Sequence, residues 1–430
     1  MPELKDLLEL IQKLIAVGNF AQAEIVSQMG AAHYPEDPNC NYLLGIIAMS
    51  VNDPKNALRF FQRAAAIAPQ WRAPHACIKE IQSTPDSTPS SQATRFLLIK
   101  AWGYGFWSDV DHVLAQLLVA EITGRVPIVH WGRNSRYGDG TPANHFDHYF
   151  EPLSTHRLES LQKDDLSYFP GKWNRDNLLD ENLNKFSGAD SCMAALYSYG
   201  RDEAVVVSDF YSRILNILPY LLPEHPDFGQ AVDPVYRRLV KQYLHPKKIY
   251  LERADQFVRD HLGTKDFLSV HMRGSDKVKE IHDLEKVNQQ YFERIDALSP
   301  PEMKRPIFLM TDDLRLLNNF RARYGERVVS SDCTRTSGEL GLHDHADADG
   351  YRLGEEMLLD TCIALRGAQF IGNGFSNPSA MISHLKDWNH ESIVLIDEKI
   401  HHSHNITLHS RPVEDLDPRR AANIWHPQNP

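Results

Sequence analysis

Residues 267–280 read FLSVHMRGSDKVKE. Apolar side chains fill the first half, and His271, Arg273, Asp276 and Lys277 crowd together where it ends. A short apolar run that closes on charge and glycine predicts a buried strand whose carboxyl end carries chemistry. The same form recurs outward in both directions: FLLIK (96–100), VPIVHW (126–131), AVVVSD (204–209), PIFLM (306–310), RVVSS (327–331), AQFIG (368–372) and SIVLID (392–397). Helical patterns separate these runs. Short β-branched strands alternating with helices predict parallel sheets covered on both faces. The span 96–430 is too long for one sheet, so two Rossmann-type units are expected, over 96–250 and 251–430. KKIYLERADQFVRDHLG (247–263) would be the helix leading into the second.

The first 82 residues have another texture. Apolar positions recur at helical spacing, as in Leu7, Ile11, Leu14 and Ile15. A period of 34 lies beneath them, seen in Ala23 and Ala57 and again in Pro35 and Pro69. GNFAQAE (18–24) sits one period before NDPKNAL (52–58). Leu44, Gly45, Ala48, Ala57, Phe61, Ala64 and Pro69 occupy the packing positions of a helix-turn-helix repeat of that length. This pattern resembles the tetratricopeptide repeat, with Trp71–Ile81 as a further docking helix. STPDSTPSSQATR (83–95) has the composition of a linker.

Composition narrows the function. Forty-six Lys and Arg against 57 Asp and Glu leave a formal charge of −11, which argues against nucleic acid and anionic membranes as general partners. Five cysteines (Cys40, Cys77, Cys192, Cys333, Cys362) show no zinc spacing and no disulfide framework. The opening MPELKDLLEL, polar and acidic, does not read as a signal peptide, and no run approaches the roughly 18 apolar residues of a spanning helix. A cytoplasmic protein is expected.

In open α/β sheets, ligands sit beyond the carboxyl ends of the strands, and four such ends stand out. AWGYGFWSDVDHVLAQLL (101–118) is a glycine-punctuated turn in which Gly103, Tyr104 and Gly105 would approach a ligand, with Ser108 or Asp109 capping the next helix. After FLSVHM, Arg273 offers a planar fork for a diphosphate and Lys277 a point charge. IFLMTDD (307–313) ends in Asp312 and Asp313, which suit ribose hydroxyls or base N–H groups, or a helix N-terminus. AQFIGNGFSNPSAMISHL (368–385) places Ser376, Asn377 and Pro378 at an anion-holding helix start. Neither GxGxxG nor GxxxxGK[ST] occurs in the positions that nicotinamide enzymes or P-loop NTPases require.

A GYG loop, then HxRxxDK, a strand ending in TDD and a strand ending in GFSN together resemble the GDP-fucose-dependent fucosyltransferases. These include the α1,6-fucosyltransferases of N-glycan cores and Nod factors and, more distantly, the protein O-fucosyltransferases. The resemblance spans about 96–390 in sparse blocks, with Trp131, Arg136 and Tyr137 echoing the family's aromatic-basic stretch. It implies a GT-B fold of two Rossmann-type domains, here preceded by an all-α helical-repeat domain, with the donor held mainly by the second. It implies Arg273 against the β-phosphate, His271 and Asp312 beside the guanine, Ser376 and Asn377 at the diphosphate, and Gly103 and Gly105 closing over it. The chain departs from the family where Gly274 stands in place of a second arginine and Asn377-Pro378 in place of Ser-Gln.

These residues suit a single inverting displacement at an anomeric carbon. Arg273, Lys277 and the helix start at 376–379 would stabilise the leaving diphosphate without a metal or other cofactor. Glu280 is the candidate base, with Asp283 and Glu285 as alternatives. The acceptor would be a glycan or protein, and residues 1–82 would bind it, bind a partner or self-associate. Two other readings stay open: transfer from a different nucleotide sugar, which Gly274 allows, and a repeat-led adaptor that binds a nucleotide without turnover. Two metal-like stretches carry less. HDHADADG (343–350) with Glu356 imitates a calcium loop through His345, Asp347, Asp349, Gly350 and Glu356, but its first position should be an acid. His401, His402 and His404 read as a surface turn.

Overall fold

The computed structural model describes residues 3–34, 36–50, 53–83, 94–169, 172–180, 201–208, 212–218, 221–274, 284–338, 342, 348–374 and 376–396. Five helices come first: α1 (Leu4–Ala16), α2 (Phe20–His33), α3 (Asn39–Ser50), α4 (Pro54–Ile67) and α5 (Arg72–Ser83). Each packs on the next. The 34-residue period has a visible cause at the helix starts. Asn19 and Asp53 occupy equivalent N-caps, and each side chain accepts an amide of the first turn, from Gln22 and Asn56. Ala23 and Ala57 are both fully buried one turn later. A Cβ on Gly45 would lie 2.5 Å from the Phe61 ring, so the glycine sets how closely α3 and α4 approach.

Two all-parallel sheets follow. The first has strand order β2-β1-β4-β3, from β1 (Phe96–Lys100), β2 (Val126–His130), β3 (Tyr168–Phe169) and β4 (Val205–Ser208). β3 is two residues long and escapes the sequence pattern. Helix α6 (Phe106–Thr123) joins β1 to β2 and is buried on nearly every side. The second sheet has the order β7-β6-β5-β8-β9, from β5 (Leu268–His271), β6 (Ile307–Met310), β7 (Val328–Val329), β8 (Gln369–Asn373) and β9 (Ile393–Ile396). Its strands are linked or flanked by α7 (Val232–Tyr243), α8 (Lys248–Phe257), α9 (Leu284–Leu298), α10 (Leu314–Tyr324), α11 (Gly350–Ala364) and α12 (Asn377–Leu385). The chain moves outward from β5 to β7, then returns to the far side of β5 for β8. Strand order therefore reverses between β5 and β8, the point where such sheets open a crevice for ligands.

One apolar core ties these parts together. It runs from Phe60 and Phe61 of α4 through Leu97 and Ile99 of β1 and the length of α6 to Phe308 and Phe370 of the second sheet. Burying each phenylalanine is worth about 1.5–3 kcal/mol. Helix α11 crosses between the sheets on two glycines. A Cβ on Gly350 would lie 2.5 Å from the carbonyl oxygens of Arg136 and Gly138, and one on Gly354 would lie 2.3 Å from the Tyr149 hydroxyl. The Trp107 indole N–H donates to Thr361 Oγ1 at 3.0 Å across the same boundary.

Candidate active site

The carboxyl ends of β1, β5, β6 and β8 converge on one cleft of about 350 Å³. Tyr104 to Ser108 and Tyr137 line it from the first sheet, His271, Arg273, Thr311 and Asp312 from the second, and Ser376 to Pro378 from the start of α12. Glu356 and Asp360 of α11 close the remaining side.

Arg273 projects just past β5, with its side chain 15% exposed and Nε 3.5 Å from Asp312 Oδ2. The other Asp312 oxygen accepts the Gly274 amide at 3.3 Å. Asp312 therefore orients the guanidinium while both remain on the cleft wall. Gly274 has a packing reason: a Cβ there would lie 2.4 Å from Asp313 Cβ. Asp313 itself points away from the cleft. It caps α10, accepting the Arg315 amide at 2.7 Å and the Arg315 guanidinium at 2.6 Å, and those bonds hold its carboxyl below the usual range against the opposing effect of burial. Of the two adjacent carboxylates nominated as donor contacts, only Asp312 lines the cleft.

His271 is buried at the end of β5, and desolvation lowers its pKa to about 4, so the ring is neutral. Its Nδ1 lies 2.6 Å from Ser379 Oγ. Ser376 occupies the N-cap of α12 but makes no side-chain bond to the helix amides. It is buried and faces the cleft, beside Asn377. The first turn of α12 thus opens on the same cleft as Arg273, beside the end of its strand.

The GYG loop corrects the sequence reading. Gly103 has φ +87°, a conformation that favours glycine, yet its amide does not serve the cleft. Asp109, fully buried, accepts the Gly103 amide at 3.1 Å through both oxygens and the Tyr104 amide at 3.3 Å. Helix α6 starts earlier than expected, with Gly105 rather than Ser108 or Asp109 as its N-cap. Tyr104 and Gly105 line the cleft and Gly103 stands behind them. Asp276, Lys277, Glu280 and Asp283 lie outside the described residues, as does the side chain of Glu285.

Asp360 escaped the sequence reading. It is 6% exposed, Oδ1 has no hydrogen-bond partner, and desolvation raises its carboxyl to about 7 against the opposing pull of Ser331 and Arg335. Glu356, one turn earlier, is already engaged by the Thr334 amide at 2.8 Å and the Arg352 guanidinium at 2.7 Å. That, with Asp349 capping α11 through the Arg352 amide, spends the described members of the imitation calcium loop. The missed signal was a lone acid inside the apolar run MLLDTCIAL (357–365).

Among the described residues, Glu121, His225 and Asp227 form a grouping with metal-ligand chemistry. Arg238 sits within it, 2.6 Å from Glu121 and 2.5 Å from Asp227, and Tyr243 donates to Glu121 at 2.8 Å. Those donors hold the Glu121 carboxyl near 2 despite burial. The cluster is an ion-paired clasp between α6 and α7.

No family model matches the chain, and no curated protein does. Solved structures do. The fucosyltransferase NodZ from Bradyrhizobium aligns at 18% identity and a TM-score of 0.46, over 68% of this chain and 93% of that one. POFUT1 in complex with GDP aligns at 13% and 0.41, over 71% and 99%. A point mutant of Arabidopsis thaliana FUT1 in complex with GDP aligns at 12% and 0.44, over 77% of each. No helix among the described residues is long and apolar enough to cross a membrane.

Proposed function

We propose that this chain is a glycosyltransferase of GT-B type that takes fucose from GDP-fucose and places it, with inversion, on an acceptor hydroxyl. The observation that carries the reading is that Arg273 and the open first turn of α12, at the ends of neighbouring strands, line one cleft. A guanidinium and a helix N-terminus together make a site for a diphosphate. Carboxylates on the same walls, Asp312 and Asp360, suit the adjacent N1–H and N2–H donors of guanine better than an adenine edge, which offers an amino group beside acceptors. In the displacement, the acceptor oxygen bonds to the anomeric carbon as the bond to the diphosphate breaks. The electron pair goes to the β-phosphate oxygen, where Arg273 and the α12 amides receive it, so no metal is needed. Lys277 would add a second cation, and Glu280 would take the acceptor's proton. Helices α1–α5, read as tetratricopeptide-like repeats, would bind the acceptor or a partner protein.

Calorimetry with GDP, followed by the slow release of GDP from GDP-fucose without acceptor, tests this directly. Saturable GDP binding and turnover are expected. Arg273→Ala should lower turnover by about 10²–10³-fold with an unchanged unfolding temperature. Absence of GDP binding to the native chain overturns the donor assignment, and full turnover by Arg273→Ala overturns the mechanism.

A further inference from the structure

Behind the cleft wall, four buried residues close a ring of hydrogen bonds at the β5–β8 switch point. His271 Nδ1 meets Ser379 Oγ at 2.6 Å, and Ser379 Oγ accepts the Asn373 amide at 3.1 Å. The Asn373 side chain bonds the Tyr291 hydroxyl, which donates to the His271 carbonyl at 2.8 Å. None of the four is more than 4% exposed. The ring links β5, α9, β8 and α12, and His271 is its member on the cleft lining. Nothing in the sequence pattern singled out Ser379.

We infer that Ser379 is a positioning residue that fixes His271 as the Nε2–H tautomer, so that the ring offers a hydrogen-bond donor to the acceptor edge of a purine. The Asn373 amide is donor-only, so it takes a lone pair of the Ser379 oxygen. Among the described residues Ser379 Oγ has no other acceptor for its proton, so the proton points to Nδ1 at 2.6 Å, which leaves the histidine's own proton on Nε2. The buried ring is neutral, as a fixed tautomer requires. A guanine presents O6 and N7 as acceptors, and a histidine free to exchange tautomers would offer a lone pair there in one of its two forms.

The inference rests on the nucleotide reading above, and a double-mutant cycle in GDP affinity separates the two. Wild type, Ser379→Ala, His271→Ala and the double variant are compared by calorimetry, with folding checked by circular dichroism. Ser379→Ala should weaken GDP binding about three- to tenfold, and should cost nothing further once His271 is gone. An equal loss in both backgrounds marks a purely structural role and overturns the inference, as does no loss at all. No GDP binding by wild type instead overturns the nucleotide reading itself. If Ser379→Ala fails to fold, the isosteric pair Ser379→Thr and Ser379→Val decides: Thr should retain GDP affinity and Val should lose it, and equal affinities overturn the inference.

Discussion

Asp360 is a carboxyl that a ligand would complete. Burial raises it to about 7, Oδ1 has no hydrogen-bond partner, and an N–H group arriving there favours the charged form. The complexed value is then lower than the free one, so binding releases a proton. Affinity for GDP should be constant above pH 7 and fall about tenfold per unit below it, until the complexed value is reached. Calorimetry from pH 5.5 to 8 reads this slope. Asp360→Asn should weaken binding and flatten the profile, and a slope that survives the substitution removes Asp360 from the ligand's contacts. A few residues away in space, Gly274 shows the same economy of contacts. Any side chain there collides with the Asp313 cap, so a second guanidinium has no room at that position beside Arg273.

At the scale of elements, the strand ends were legible because each follows a short run buried at all or nearly all of its positions. Phe96–Lys100, Leu268–His271 and Ile307–Met310 are buried at every position, so charge could only collect where they stop. What lay inside a helix was not legible. Asp360 looks like an isolated acid in an apolar run until α11 is seen passing the cleft, and Ser379 matters only because α12 folds back over β5. The GYG loop was misread for a related reason: its glycine is required, but the amides turn inward to Asp109. His112 of α6 belongs to this hidden class. Its Nδ1 accepts the Ser212 amide at 3.1 Å and its Nε2 faces Ser208 Oγ at 2.9 Å, tying α6 to the end of β4. Burial depresses its pKa to about 3, whereas the unfolded chain protonates near 6.5. The unfolded state therefore binds the extra proton in that window, and His112's share of stability is intact above 6.5 and lost as pH falls toward 3. In His112→Asn, the slope of unfolding free energy against pH between 6.5 and 4 should be shallower by about 1.4 kcal/mol per pH unit. Urea titrations at half-unit intervals measure it, and an unchanged slope would mean that His112 is already protonated in the folded protein.

Across the whole molecule, the two sheets are held by contacts that leave little play. Tyr149 Oη donates to the Tyr351 carbonyl at 3.3 Å, and the His145 and His148 rings meet Tyr351 and Glu355 at 2.7 Å each. On the other flank, Tyr236 of α7 stacks on His384 of α12 at 4.1 Å. Gly350 is the least yielding point in this seam, because the atoms facing it are backbone and cannot rotate aside. Gly350→Ala must therefore push α11 away from residues 136–138, and overpacking of this kind costs about 1–3 kcal/mol. The displacement has a direction. Tyr137 on one side of the seam and Glu356 and Asp360 on the other all line the cleft, so widening the seam separates groups that would grip one nucleotide. Gly350→Ala should lower the unfolding temperature by a few degrees and weaken GDP binding together, whereas Gly45→Ala, set between α3 and α4, should lower stability with GDP affinity unchanged. Thermal unfolding and calorimetry on the two variants check this, and an equal effect of both substitutions on GDP affinity would show that the seam does not shape the cleft.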